Sequence, residues 1–159
     1  MSDLPAELSL SLDEAAASIL RANHVVALAG AGLSVESGIP PFRGPGGLWT
    51  KHGEPSNLSY RGFVDDPGEW WEARFRSEDQ PGDPTYEMKV AVDRAEPNPG
   101  HHALVEMEEL GLLQYVVTQN VDNLHREAGT RSLLEIHGNR TWLRCIGCGA
   151  RQPRDGYHF

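Results

Sequence analysis

The chain has little cysteine, little lysine and no long apolar run, and each shortage excludes something. Its 159 residues include two cysteines, Cys145 and Cys148. Cysteines this close cannot staple a fold, so a disulfide framework is excluded, and the pair points to metal or redox chemistry in a reducing compartment. Lysine occurs only at Lys51 and Lys89; 14 basic residues face 23 acidic ones, for a formal net charge of −9. An acid surplus is the wrong field for gripping a phosphate backbone, so no nucleic-acid partner is expected. No stretch approaches the ~18 apolar residues of a membrane span. Residues Met1–Glu7 carry acids where a secretory leader carries bases, so a cytoplasmic protein without a membrane partner is expected. What is present, 39% hydrophobic and 23% charged residues, describes one folded domain with its own core.

Along the chain, Ser11-Leu12-Asp13-Glu14 has the form of a capping box. Leu12, Ala15, Ala16, Ile19 and Leu20 follow at helical spacing, predicting a first helix that ends at Asn23-His24. Val25–Ala29 is continuously apolar, as in a strand buried on both faces of a parallel sheet, and it runs into Gly30-Ala31-Gly32. Helix, buried strand and glycine turn open a doubly wound, Rossmann-like α/β fold. Residues 38–68 read as a long Gly/Pro/Ser-rich loop. Helices are expected from Asp66-Pro67 through Phe75, over Thr85–Ala95, and over 99–110 with Ala103, Leu104, Met107 and Leu110 inward and Gly111 as the left-handed cap. Tyr115–Thr118 reads as a second parallel strand, Asp122–Ala128 as a short helix and Leu133–Ile136 as a third strand. Residues 1–139 thus form part of a parallel-sheet domain, with 38–95 as a loop and small helical insertion. Residues 140–159 change character and begin a separate module around the cysteines.

The glycine turn Gly30-Ala31-Gly32-Leu33-Ser34 suits a pyrophosphate, because glycines let phosphates approach main-chain N–H groups. Val35 stands where a dinucleotide fingerprint has its third glycine, and no lysine follows at P-loop spacing, so an ordinary dehydrogenase is disfavoured and a P-loop excluded. A tight turn without a ligand stays open on this motif alone. In Gly38-Ile39-Pro40-Pro41-Phe42-Arg43-Gly44, prolines stiffen a loop that offers a flat ring and a charge; beside a pyrophosphate these would cover a cofactor and exclude water. Alone, it reads as a surface loop with a buried Phe and a solvated Arg.

Taken together, residues 30–44 resemble the signature of the sirtuins, the NAD-dependent protein deacylases. Three further motifs agree in order and spacing: Pro97-Asn98-Pro99-Gly100-His101-His102-Ala103-Leu104, Thr118-Gln119-Asn120-Val121-Asp122-Asn123-Leu124-His125, and Glu135-Ile136-His137-Gly138-Asn139. Cys145-Ile146-Gly147-Cys148 stands where that family places its first zinc cysteines, and the likeness runs from about residue 12 to residue 151. The resemblance implies NAD as co-substrate, an acetylated protein or peptide lysine as partner, and transfer of the acetyl group to ADP-ribose with release of nicotinamide. It also implies site roles. Gly30, Ala31, Gly32 and Ser34 would lie against the phosphates. Phe42 would shield the reacting ribose carbon, with Arg43 beside the phosphate and nicotinamide pocket. Gln119 and Asn120 would hold ribose oxygens, Asn120 also serving catalysis, and Asp122 would accept from the nicotinamide carboxamide. His137 would be the base, a role that suits a side chain titrating near neutrality. His101 and His125 are expected to be structural.

The sequence departs from the family at Pro41, where many members have Asp or Thr. The segment Glu69–Ser77 lacks the Tyr/Arg pair of members that prefer acidic acyl groups, so acetyl-lysine is the expected substrate. Cys145 and Cys148 are half of a four-cysteine zinc site. His158 as a third ligand and a redox Cys-x-x-Cys are minor alternatives. The chain therefore resembles the N-terminal portion of a sirtuin, with weak or absent activity expected of it alone. An inactive NAD or ADP-ribose binding module and a protein ADP-ribosyltransferase are the competing readings.

Overall fold

The computed structural model describes residues 5–54 and 59–155; His158 lies outside them. Helix α1 (Ala6–Arg21) starts well before the expected capping box. Pro5 occupies its N-cap, with the restricted backbone that proline brings to a helix start. Ser11 is therefore interior, and its Oγ donates to the Glu7 carbonyl at 3.0 Å instead of capping. Strand β1 (Val26–Ala29) leads directly into the single turn α2 (Ala31–Ser34). A 3₁₀ turn, Val35–Ser37, follows and is closed by Gly38 at φ 88°, a left-handed conformation that favours glycine.

The stretch expected as one long loop instead contains α3 (Leu48–His52) and α4 (Tyr60–Asp65). Short helices escape a composition-based reading because their anchors are few. Here the Ser59 Oγ accepts from Gly62 N at the start of α4, and Phe63 packs edge-on to Trp70 with ring centroids 5.3 Å apart. Helices α5 (Pro67–Glu78) and α6 (Pro84–Arg94) complete the insertion, each capped by an aspartate, Asp66 or Asp83, followed by proline. Helix α7 (Pro99–Glu109) returns the chain to the sheet, and Gly111 (φ 73°) turns it out as expected.

Strand β2 (Tyr115–Thr118) pairs in parallel with β1, Ala29 opposite Thr118. After α8 (Leu124–Ala128), β3 (Leu133–Glu135) pairs in parallel with β2, Thr118 opposite Glu135. This is the Rossmann-like α/β order β1-β2-β3. Alternate sheet residues face a core of Ala29, Leu113 and Val116, on which Leu104 and Met107 of α7 pack. Ala103 and Leu110, expected inward, are exposed. Nor is β1 buried on both faces: Leu28 is 79% exposed, and Val26, Tyr115 and Leu134 on the same face are also exposed. Among the described residues only one face of the sheet is covered.

The last module is an antiparallel hairpin, β4 (Trp142–Arg144) and β5 (Arg151–Pro153), with both cysteines in its turn. It is pinned to the insertion. Arg140 pairs with Asp93 of α6, and Arg154 Nη2 donates to Glu78 Oε2 of α5 at 2.8 Å. Burial works to raise the Glu78 carboxyl, but the guanidiniums of Arg74 and Arg154 outweigh it and hold the group below its ordinary range. Among the described residues, no helix is long and apolar enough to cross a membrane.

Candidate functional site

The parallel strands bring their C-terminal ends to one edge, and the chemistry-bearing residues collect there. Gly30 follows β1, and a β-carbon at that position would lie 2.4 Å from Gln119 Nε2. Its carbonyl accepts from the Asn120 amide at 3.0 Å. The same Asn120 amide donates to Ser34 Oγ at 3.1 Å, and Ser34 Oγ donates onward to Asp122 Oδ2 at 2.7 Å. Asp122 Oδ1 accepts from Leu124 N at 3.0 Å, so this carboxylate satisfies the first N–H of α8 and joins the polar chain, while Asn123, not Asp122, holds the N-cap position. Ser34 is 1% exposed and Asp122 8%, so the chain Asn120–Ser34–Asp122 is a buried, oriented network. Asn123, at φ 71°, is the one non-glycine residue in left-handed backbone among those described, at the corner leading from the network into α8.

His137 stands on the turn after β3, exposed to solvent. Ile136 N donates to Thr118 O at 3.0 Å, carrying the ladder one residue past Glu135. Asn120 and His137 each lie two residues beyond the paired Thr118 and Glu135, at the same end of the sheet. The turn is braced from below, where the Glu135 carboxylate accepts from Arg126 Nη2 at 2.6 Å and from Asn139 Nδ2 at 3.0 Å. Burial opposes ionisation of Glu135, yet Arg126 and Asn139 hold its pKa below the ordinary value.

The loop carrying Phe42 folds back on α3. Leu48 N donates to Pro41 O at 3.0 Å and Trp49 N to Phe42 O at 2.8 Å. The Phe42 and Trp49 rings lie 4.9 Å apart. Arg43, expected near the phosphate and nicotinamide pocket, stacks on Trp49 at 4.4 Å and pairs with Glu54 at 3.1 Å on the surface. Gly47 closes this loop: a β-carbon there would meet the Phe42 carbonyl oxygen and the Arg43 carbonyl carbon at 2.8 Å.

Three contributors are missing from the sequence-derived set. Trp49 and Gly47 shape the loop; a glycine pair before a tryptophan was their only signal. Asn98 clamps the glycine turn: it caps α7 and also donates to Leu33 O at 2.7 Å and Ser37 Oγ at 2.9 Å. Asparagine before proline was its signal, since that pair marks a helix start. Beneath the network lie His101 and His125, 0% and 2% exposed, with ring centroids 5.0 Å apart. Burial lowers the pKa of both.

The arrangement fits an NAD-type ligand. The position of a Gly32 side chain has no atom within 4 Å, leaving the backbone open to a close-lying group, and Gly30 leaves Gln119 room to swing over it. The fit to zinc is incomplete. Both cysteines are exposed, and backbone groups of Cys148 and then Gly147 hydrogen-bond the Cys145 sulfur, holding its thiol below the usual range. Among the described residues, however, no group of three or more His, Cys, Asp or Glu gathers to hold a metal. A four-ligand site is not completed there.

Comparison with known proteins agrees with this geometry. The Sir2 family profile matches residues 30–158. An NAD-dependent protein deacylase of Thermococcus kodakarensis is 42% identical over 142 residues, covering 89% of this chain and 51% of that relative. An NAD-dependent protein deacetylase of Caldivirga maquilingensis is 41% identical, covering 88% and 50%. A Sir2 homologue solved as an NAD complex superposes with a TM-score of 0.65 at 37% identity, covering 89% of this chain and 51% of that one. A Sir2 protein solved with a deacetylated p53 peptide and 3′-O-acetyl ADP-ribose superposes with a TM-score of 0.69 at 32% identity, covering 89% and 53%. The chain belongs to the Sir2 family, the sirtuins, and spans about half the length of the curated relatives it matches.

Proposed function

We propose that this chain carries the cofactor-holding and base-bearing elements of an NAD-dependent protein-lysine deacylase, with acetyl-lysine as the reference substrate. Acyl-lysine, NAD and water give lysine, nicotinamide and O-acyl-ADP-ribose. The observation that carries the reading is the buried chain Asn120–Ser34–Asp122 at the sheet edge where His137 also stands. NAD, when bound, supplies a ribose carbon whose bond to nicotinamide breaks as the acyl oxygen takes its place.

The residues of this chain then have separable tasks. The Gly30–Gly32 main chain receives the pyrophosphate. Asn120 is held from two sides, by Gly30 O and Ser34 Oγ, and presents its free amide oxygen toward the ribose. Asp122, with each oxygen already accepting one hydrogen bond, keeps lone-pair capacity for a carboxamide N–H. A buried acceptor of that kind discriminates strongly for a donor-bearing ring. The exposed His137 imidazole can take a proton from a ribose hydroxyl and release it to water. The Phe42–Trp49 pair keeps water from the reacting carbon.

The test combines ADP-ribose binding with mass spectrometry of products from NAD and an acetyl-lysine peptide. The expected result is micromolar to millimolar ADP-ribose binding and slow formation of O-acetyl-ADP-ribose that falls at least 100-fold in His137→Ala. A protein gaining the mass of ADP-ribose would instead mark a transferase. Parent-rate turnover by His137→Ala, or no ADP-ribose binding, would overturn the assignment.

A further inference from the structure

The turn between β4 and β5 carries the chain's two cysteines, and every residue from Arg144 to Arg151 is exposed. The turn is built around one sulfur. Main-chain N–H groups of Cys148 and Gly147 donate to Cys145 Sγ, and the Cys148 thiol hydrogen-bonds the same atom. A β-carbon on Gly147 would lie 3.9 Å from that sulfur, so the loop wraps closely round it. Cys145 N donates to Ala150 O and Gly149 N to Cys145 O, both at 2.9 Å, with Gly149 in left-handed backbone at φ 74°. Both sulfurs are thereby held together at the tip of a closed turn. Below it, Arg140–Asp93 and Arg154–Glu78 fix the hairpin to α6 and α5.

Two neighbouring sulfurs on a rigid, exposed turn are half of what a tetrahedral ion takes. The chain holds no third cysteine, and among the described residues no His, Asp or Glu gathers with the pair. A second copy offers the same half, and a two-fold axis through the ion would relate the two. The charges beside the turn suit such a centre. Arg144 and Arg151 stand opposite each other across the hairpin, next to the cysteines. Like charges so placed weaken a strand pair. Arg151 also feels the Glu135 carboxylate. Zinc held by four thiolates is doubly negative, and the arginines of both copies would offset it. Residues 139–154 contain four arginines and no acid, so two chains of net charge −9 would meet at an acid-free stretch. Ile146 and Trp142, 58% and 50% exposed, add apolar surface beside the ion.

We propose that Cys145 and Cys148 form a shared zinc site, in which two copies of the chain each give both sulfurs to one ion and are joined by it. The ion then sets the oligomeric state, which a four-cysteine site inside one chain does not do. Each thiol loses its proton to the buffer as its bond to zinc forms, and nothing is oxidised or reduced. The inference stands apart from the deacylase reading.

The test is a zinc titration of the reduced chain in metal-free buffer, read by light scattering after gel filtration and by competition with a chromophoric chelator. Uptake should end at one zinc per two chains, and the mass should rise from 17.5 kDa to twice that. Cobalt(II) in place of zinc should give the absorption of a tetrahedral tetrathiolate at the same stoichiometry, and EDTA should return the monomer. Cys148→Ser and Cys145→Ser should each abolish uptake and doubling. Both side chains are exposed, so each variant should keep the parent's Tm in metal-free buffer. One zinc per chain in a monomer, a dimer that forms without metal, or reduced thiols that take up no zinc would each overturn the shared site. Closure of a Cys145–Cys148 disulfide in place of zinc binding would overturn it too, and mark the pair as redox chemistry.

Discussion

Replacing Ser34 by alanine removes one oxygen from the centre of the buried network and little volume. Two contacts go: the 2.7 Å bond to Asp122 Oδ2 and the 3.1 Å bond from the Asn120 amide. The Asn120 amide keeps the Gly30 carbonyl, so its loss is small. Asp122 loses more, because a carboxylate only 8% exposed is left leaning on the Leu124 N–H. Hydrogen bonds to charged groups contribute about 1.5–3 kcal/mol, so a destabilisation near 2 kcal/mol is expected. For a domain of this size that lowers Tm by roughly 4–8 °C. Urea denaturation of the parent, Ser34→Ala, Asp122→Ala and the double variant closes a cycle that isolates the pair. The coupling energy should exceed about 1 kcal/mol, and ADP-ribose affinity should fall in the single variant, because Asn120 and Asp122 are no longer held in register. Additivity within about 0.5 kcal/mol would mean that the hydroxyl does not organise the network, and the site argument would fail with it.

How much of this was legible in the sequence follows from the range of each interaction. β2 and the start of α5 were visible because their signals are local: β-branched residues in a row, and Asp-Pro at a helix start. The Asn120–Ser34–Asp122 chain was legible only as three motif residues, since Ser34 and Asp122 stand 88 positions apart and no local pattern reports their contact. The surroundings of Arg43 were illegible for a related reason. Its partners are Trp49, on a short helix that composition concealed, and Glu54, just beyond that helix. The exposed Leu28 face shows the limit of reading burial from a run of apolar residues. Such a run states what a strand is able to bury; the covering layer decides what it does bury, and the described residues cover one side.

Two glycines give a paired prediction. Gly47→Ala forces a β-carbon onto loop backbone at 2.8 Å and should cost about 1–3 kcal/mol by thermal or urea unfolding, whereas unchanged stability would contradict the closed loop. Gly32→Ala meets nothing within 4 Å, so the fold should be as stable as the parent while ADP-ribose affinity drops at least tenfold; undiminished affinity would remove the phosphates from that turn. The last prediction concerns acid. His101 and His125 have lowered pKa values, first through burial; His125 and His102 lower His101 further, against attraction from Asp122 to both and from Glu135 to His125. A group that protonates less readily in the folded chain leaves the unfolded chain holding more protons. Stability is then fully present above the unfolded value, about 6.5, and is lost as pH falls below it toward the folded values. The slope reaches at most about 1.4 kcal/mol per pH unit for each histidine. Glu78, Glu108 and Glu135, whose pKa values are also lowered, weaken the fold only below their ordinary 4.5, so the window from pH 6.5 to 5 belongs to the histidines. Tm measured across that window should fall in the parent and fall less steeply in His125→Gln, which keeps a polar side chain of similar reach but cannot take up a proton. A parent curve flat between pH 7 and 5 would show that the buried rings accept protons freely, and that the layer beneath the site is not dry.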